Sequence, residues 1–302
     1  MPPLMEMQTN SEHRESRGDI QPRLIVSCVV FVVLLVFSLA SLIPANANNK
    51  NEGCFDNRRF CFELTPLSHD KIRYQVTVKR YVPLPVALTL YSDALYSHKE
   101  PHGVLEASTR KPIAHANAFL DSDDPIVLGE VASTRQFWRT MRVKWTVGDI
   151  NATHDDNIKY LPPLQPAKQY RIVQGFNGNF SHTGPSRYAL DFAAPVGTPI
   201  LAARGGVVID TKDDGKKGGA SSRFAKHANY VVILHSDGTT GEYYHLKYKG
   251  VAVKQGQEVQ QGQLIGYTGN TGFSSLPHLH FGIYVAKFHG GYQSVPFELS
   301  SQ

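Results

Sequence analysis

Cysteine is scarce in this sequence: there are three in 302 residues, and Cys28 lies inside an apolar run. Only Cys54 and Cys61 remain beyond that run, which excludes a four-cysteine zinc site. Any metal centre must therefore be assembled from histidines and carboxylates. Basic blocks interleaved with aromatics are also missing, so no nucleic-acid partner is expected. Charged residues are only 19% of the chain and hydrophobic ones 41%, a globular balance and not that of a disordered polymer. The net charge of +5 sits in one half, because residues 166–302 hold thirteen Lys/Arg against eight Asp/Glu and the remainder balances. A mildly basic half suits an anionic polymer such as a cell wall, and equally an ordinary lysine-bearing surface.

Long apolar runs are confined to Leu24–Ile43, twenty residues without a charge. A helix of that length spans roughly 30 Å, the hydrocarbon thickness of a bilayer. Arg14, Arg17 and Arg23 precede it and favour a cytoplasmic start. Residues 1–23 are thus expected to be a polar cytoplasmic tail and 24–43 a transmembrane helix in the inner membrane. The A-x-A pattern Ala45-Asn46-Ala47 offers an alternative, cleavage near Ala47 and release into the periplasm. The run exceeds the ~7–15 apolar residues of a cleaved signal, which favours the anchor. Either way the chain beyond residue 50 is exported, where Cys54 and Cys61 can pair. Closing so short a loop is worth roughly 2–3 kcal/mol on the chain-entropy model.

The exported part reads as all-β. In residues 53–160, "YQVTVKRY", "VALTLYS", "PIVLGEV" and "MRVKWTVGD" alternate with period two and are separated by Asp, Ser, Pro and Gly. They predict a small β-sandwich-like domain, and it contains no catalytic constellation. His98 and His102 fall in a Pro/Gly-flanked loop and read as surface residues. Three prolines in "YLPPLQPAKQY" predict an interdomain linker over 161–169. In residues 170–302, Asp237-Gly238 marks a hairpin, and regularly spaced glycines from Gly256 to Gly272 mark brief strands folding back on one another.

Chemistry gathers in that last segment. Strand alternation puts His278 and His280 of "PHLHF" on one face, opposite Leu279 and Phe281. His245 ends the second strand of the hairpin. Asp191 sits in "ALDFAA", where a buried carboxylate needs a cation, either a metal ion or an arginine such as Arg187.

Taken in order, "HTG…ALDFAAPVGTPILAARGGVV", "YYHLK", "VKQGQEVQQGQLIGYTGNTG" and "PHLHFGI" resemble the M23 metallopeptidases, the LytM/lysostaphin-like cell-wall endopeptidases. The resemblance covers about residues 170–297. It implies an antiparallel β-sheet domain with a groove, Zn²⁺ held by His182, Asp191 and His280, and catalytic roles for His245 and His278. It also implies hydrolysis of peptidoglycan cross-bridge peptides. The chain departs from the family pattern once: eight residues separate His182 from Asp191 where three are usual. The competing expectation is a catalytically inactive LytM-type domain that activates a partner cell-wall amidase. The stretch "VKQGQEVQQGQLIG" also looks like a lipoyl-carrier strand pattern, but it lacks a lysine at the matching hairpin tip.

Overall fold

The structure is a computed structural model that describes residues 51–67, 70–97, 113, 115–165 and 169–301. The expected tail (1–23) and anchor (24–43) lie outside the described residues, as do His98 and His102. Among the described residues no helix is long and apolar enough to cross a membrane.

The amino-terminal domain is built from strands β1 (Glu52–Phe55), β2 (Phe60–Leu67), β3 (Asp70–Arg80), β4 (Val86–Tyr91), β5 (His115–Leu120), β6 (Ile126–Val131) and β7 (Arg142–Val147). They form two sheets, ordered β1-β2-β3-β6 and β5-β4-β7. Phe60, Phe62, Val76 and Val78 of the first sheet pack against Val86, Leu88, Leu90 and Leu120 of the second. This is the sandwich that the alternation predicts. Sequence reading missed the short helix α1 (Thr134–Thr140), capped by Ser133, whose hydroxyl accepts from the Gln136 amide. Seven residues are too few to show a helical period, and Phe137 and Trp138 bury side by side at its centre. Cys54 and Cys61 lie opposite each other on β1 and β2 and form the expected disulfide.

The carboxy-terminal domain begins earlier than expected. Tyr160 of β8 (Lys159–Tyr160) and Leu164 are buried in its core. Leu161 N–H donates to the Ala203 carbonyl, and Pro163 accepts from Leu201 N–H. The described part of 161–169 is therefore not a free tether. Prolines suit it because an edge segment needs few donors of its own.

The remaining strands are β9 (Ile172–Gln174), β10 (Leu190–Ala193), β11 (Pro199–Leu201), β12 (Gly206–Lys212), β13 (Gly218–Gly219), β14 (Tyr230–Leu234), β15 (Thr240–Tyr244), β16 (Leu246–Val251), β17 (Glu258–Val259), β18 (Leu264–Thr268), β19 (Gly272–Phe273), β20 (His278–Lys287), β21 (Gly291–Val295) and β22 (Glu298–Leu299). The main sheet runs β17-β12-β14-β15-β20-β10-β9, with β21 added beside β20. One face carries Val231, Ile233, Tyr243, Phe281 and Ile283 into the core, closed by the small sheet β11-β18-β16. Burying those side chains is worth ~1.5–3 kcal/mol each, which fixes the register and so decides what the opposite face presents.

That opposite face meets the amino-terminal domain. Strand β7 packs on β20 and β21. Gly290 adopts φ 66° where the chain passes so close to the Lys144 carbonyl that a Cβ would collide with it.

Candidate metal and catalytic site

The register of β10 against β20 sets Asp191 directly across from His280, and the register of β20 against β15 sets His280 across from Tyr244. A row of side chains thus crosses the face turned away from the core. Into this row the segment before β10 delivers His182, which is completely buried. The eight intervening residues are taken up by a 3-10 turn at Gly184–Ser186, and the chain still returns Asp191 to His182. His182 Nε2 lies 3.1 Å from Asp191 Oδ1, His280 Nδ1 lies 2.9 Å from the same oxygen, and the two nitrogens are 3.3 Å apart. These atoms form a buried His–Asp–His group that could hold a metal ion. Arg187, the alternative partner for Asp191, is turned elsewhere, toward Asn177 Oδ1 and the Tyr188 ring.

Each donor is oriented by a second contact. His182 Nδ1–H donates to the Gly175 carbonyl at 2.8 Å, which leaves Nε2 facing Asp191. His280 Nε2 is 3.1 Å from the Tyr284 hydroxyl, which leaves Nδ1 facing Asp191. Asp191 Oδ2 accepts from Gln174 Nε2 at 3.0 Å. Gln174 also donates to Ser181 Oγ and accepts from the amides of Phe180 and Ser181, tying the His182 loop to the carboxylate. Burial alone would raise the Asp191 pKa, but hydrogen bonds from His182 and His280 and the nearby imidazoles hold it well below the usual carboxylate range. Desolvation lowers His280 to about 4, which keeps it neutral and able to act as a ligand.

His278 and His245 flank this group with their ring centroids 4.5 Å apart. His278 Nδ1–H donates to the Leu276 carbonyl at 2.8 Å, and Nε2 stands 3.7 Å from Asp191 Oδ1. His245 Nδ1–H donates to the Thr271 carbonyl at 2.7 Å, and desolvation holds its pKa well below the ordinary value. Strict alternation would send His245 toward the core with Tyr243. Its φ of 69° breaks the strand and turns the ring toward His278, a left-handed conformation that costs ~1–3 kcal/mol in a residue other than glycine.

All five residues singled out in the sequence thus converge, on four different segments. Sequence reading missed Gln174, Tyr284, Thr271 and Ser274, the last with its hydroxyl 3.0 Å from His278 Nδ1. No sequence pattern marks them, because they act through contacts made only when the strands pair. His235, outside this group, is buried, with Nδ1 3.0 Å from the Gly205 carbonyl.

Residues 185–293 match the model of peptidase family M23. The similarity to that family lies in the carboxy-terminal domain. The matched span starts just after His182, so the place of His182 rests on the geometry above. Among curated proteins, the chain is 37% identical over 121 residues to the peptidoglycan DD-endopeptidase ShyA of Vibrio cholerae, covering 39% of this chain and 25% of that protein. It is 32% identical over 140 residues to lysostaphin of Staphylococcus staphylolyticus, covering 45% of this chain and 25% of that one. The chain therefore spans about a quarter of the length of either relative. Among solved structures, the catalytic domain of the prophage-encoded M23 protein EnpA from Enterococcus faecalis is 25% identical, with a TM-score of 0.34, over 45% of this chain and 94% of that one.

Proposed function

We propose that this M23 domain is a zinc endopeptidase that hydrolyses peptide cross-bridges of peptidoglycan, held at the inner membrane by residues 24–43 with residues 53–302 in the periplasm. The observation that carries the reading is the convergence of His182 Nε2, Asp191 Oδ1 and His280 Nδ1 in one buried cluster. The donor set fits zinc: two imidazole nitrogens and one carboxylate, each held by a further hydrogen bond, leave a fourth position for catalysis. When bound, zinc supplies Lewis acidity, acidifying water and polarising the scissile carbonyl.

The chain's own residues do the rest. His278 and His245 both commit Nδ1–H to a backbone carbonyl, so both present Nε2 to the reacting atoms. One Nε2 takes the attacking water's proton and returns it to the leaving amine, while the other ring, 4.5 Å away, borders the developing oxyanion. Burial of His182, Asp191 and His280 excludes bulk water from the charges that develop.

Digestion of purified cross-linked muropeptides tests the reading, with the expected result that cross-linked species disappear and uncross-linked ones accumulate. If the protein leaves cross-links intact but stimulates a cell-wall amidase, the inactive, partner-activating alternative replaces it.

A further inference from the structure

The positive surplus of the carboxy-terminal half is concentrated in two stretches of sequence. Of the thirteen Lys/Arg and eight Asp/Glu in residues 166–302, seven cations and two carboxylates fall in 212–227 and 247–249. The rest of that half balances, six against six. The fold brings the two stretches onto one surface. Asn229, completely buried, donates through Nδ2 to the Gly215 and Leu246 carbonyls, and Lys249 N–H donates to the Asp213 carbonyl. Two ion pairs occupy both carboxylates: Lys212 Nζ lies 2.8 Å from Asp214 and Lys249 Nζ 3.2 Å from Asp213. Lys216, Lys217, Arg223, Lys226 and Lys247 have no ion-pair partner among the described residues.

This surface borders the two flanking histidines of the site. Gly272 N–H donates to the Lys217 carbonyl and Ser274 N–H to the Gly219 carbonyl, where β13 pairs with β19. The same stretch holds Thr271, whose carbonyl accepts from His245, and Ser274, whose hydroxyl is 3.0 Å from His278 Nδ1. Lys247 follows His245 by two residues, at most ~7 Å along the chain. The cations are on display: Lys216, Lys217, Arg223 and Lys226 are exposed. Lys216 Nζ stands 4.6 Å from the centroid of the exposed Tyr248 ring and Lys247 Nζ 4.6 Å from that of Tyr267, contacts that hold an ammonium group without neutralising it. Burial first, and then the charges of Lys226, Lys217 and Lys212, hold the His227 pKa below its ordinary value, so these cations act on one point. Like charges gathered this closely repel one another, a cost that an anionic ligand removes.

We propose that residues 212–227 and 247–249 form an anion-binding rim that holds free carboxylates of the substrate's stem peptides while the scissile bond lies at the His–Asp–His group. This rests on the endopeptidase reading above and specifies its substrate: cross-linked peptides whose acidic side chains and chain ends are ionised, not amidated. Position selects this occupant over a remote polyanion, since the unpaired cations adjoin the segments that hold His245 and His278. Four of the five are lysines, point charges that attract a carboxylate without fixing its orientation. The rim therefore captures the peptide and takes no part in the chemistry, lowering KM and leaving kcat alone.

The test is calorimetric binding of the full-length, zinc-loaded protein, carrying His278→Ala to prevent turnover, to a cross-linked muropeptide and to its carboxamidated form. Lys217→Gln with Lys226→Gln is expected to weaken binding of the carboxylate form about fivefold and to leave the carboxamide form unchanged. Lys254→Gln with Lys287→Gln removes the same charge from elsewhere in the domain and is expected to change neither. Raising the salt from about 0.05 M to about 0.5 M is expected to erase the preference for the carboxylate form. With His278 restored, Lys217→Gln with Lys226→Gln is expected to raise KM and keep kcat. Equal affinities for the two muropeptide forms, or equal losses from the two double variants, overturn the proposal. Binding that follows the expected pattern, without cleavage by the protein that retains His278, removes the endopeptidase reading and leaves the rim. Cleavage indifferent to amidation does the reverse.

Discussion

Asp191 and Glu242 are buried carboxylates one row apart on the same face of one sheet, yet their proton affinities move in opposite directions. Burial would raise both. Asp191 is pulled down by hydrogen bonds from two imidazoles, whereas Glu242, bonded by the Tyr244 and Thr240 hydroxyls, stays raised to about 7. Donor identity, not depth, separates a site prepared for a cation from one sealed without enough positive charge.

The largest expected effect breaks the first row. Asp191→Ala or His280→Ala should take zinc from about one per chain to near none, by elemental analysis of the folded protein, and abolish muropeptide cleavage. His278→Ala should separate catalysis from binding: zinc content unchanged, kcat down by roughly 10²–10⁴-fold.

Glu242 should reveal itself in pH dependence. Glu242 has an ordinary pKa of 4.5 when unfolded and about 7 when folded. Between those values the folded protein keeps a proton that the unfolded chain releases. The stability this supplies is fully present below about pH 4.5 and lost as pH rises through 7, on the order of 3 kcal/mol in all. Glu242 shares a cavity with Asp210, Asp56 and Arg59, together with Tyr230, Tyr244 and Tyr292, and a raised Asp210 adds in the same direction. Urea midpoints at pH 5 and pH 8 check this, and Glu242→Gln should flatten the difference. The smallest effect expected is Gln174→Ala, which removes the link between Asp191 and the His182 loop. It should weaken zinc binding by about tenfold in a chelator competition and leave the unfolding midpoint nearly unchanged.

How much of this could be read beforehand varied by residue. His278 and His280 share a strand, so period-two alternation already placed them on one face. Assigning them different roles came from family resemblance alone; in the structure His280 Nδ1 turns to Asp191, while His278 Nδ1 turns to a backbone carbonyl. His245 defied alternation, because its positive φ reverses the side to which the ring points. The reading of 161–169 as a linker rested on proline content, which reports missing donors and says nothing of acceptors. Pro163 proved to accept from Leu201.

By itself the sequence determined the β-rich domains, the facing cysteines and the five chemistry-bearing residues, since alternation, turn glycines and motif order are local properties of a chain. Only the tertiary structure decided that His182 reaches Asp191 across its longer loop and that Gln174 holds the pair together. It alone brought Arg59 to the Ile209 carbonyl, 150 residues away in sequence. Those outcomes depend on strand register and domain packing, where burial of the opposite sheet face fixes which side chains meet.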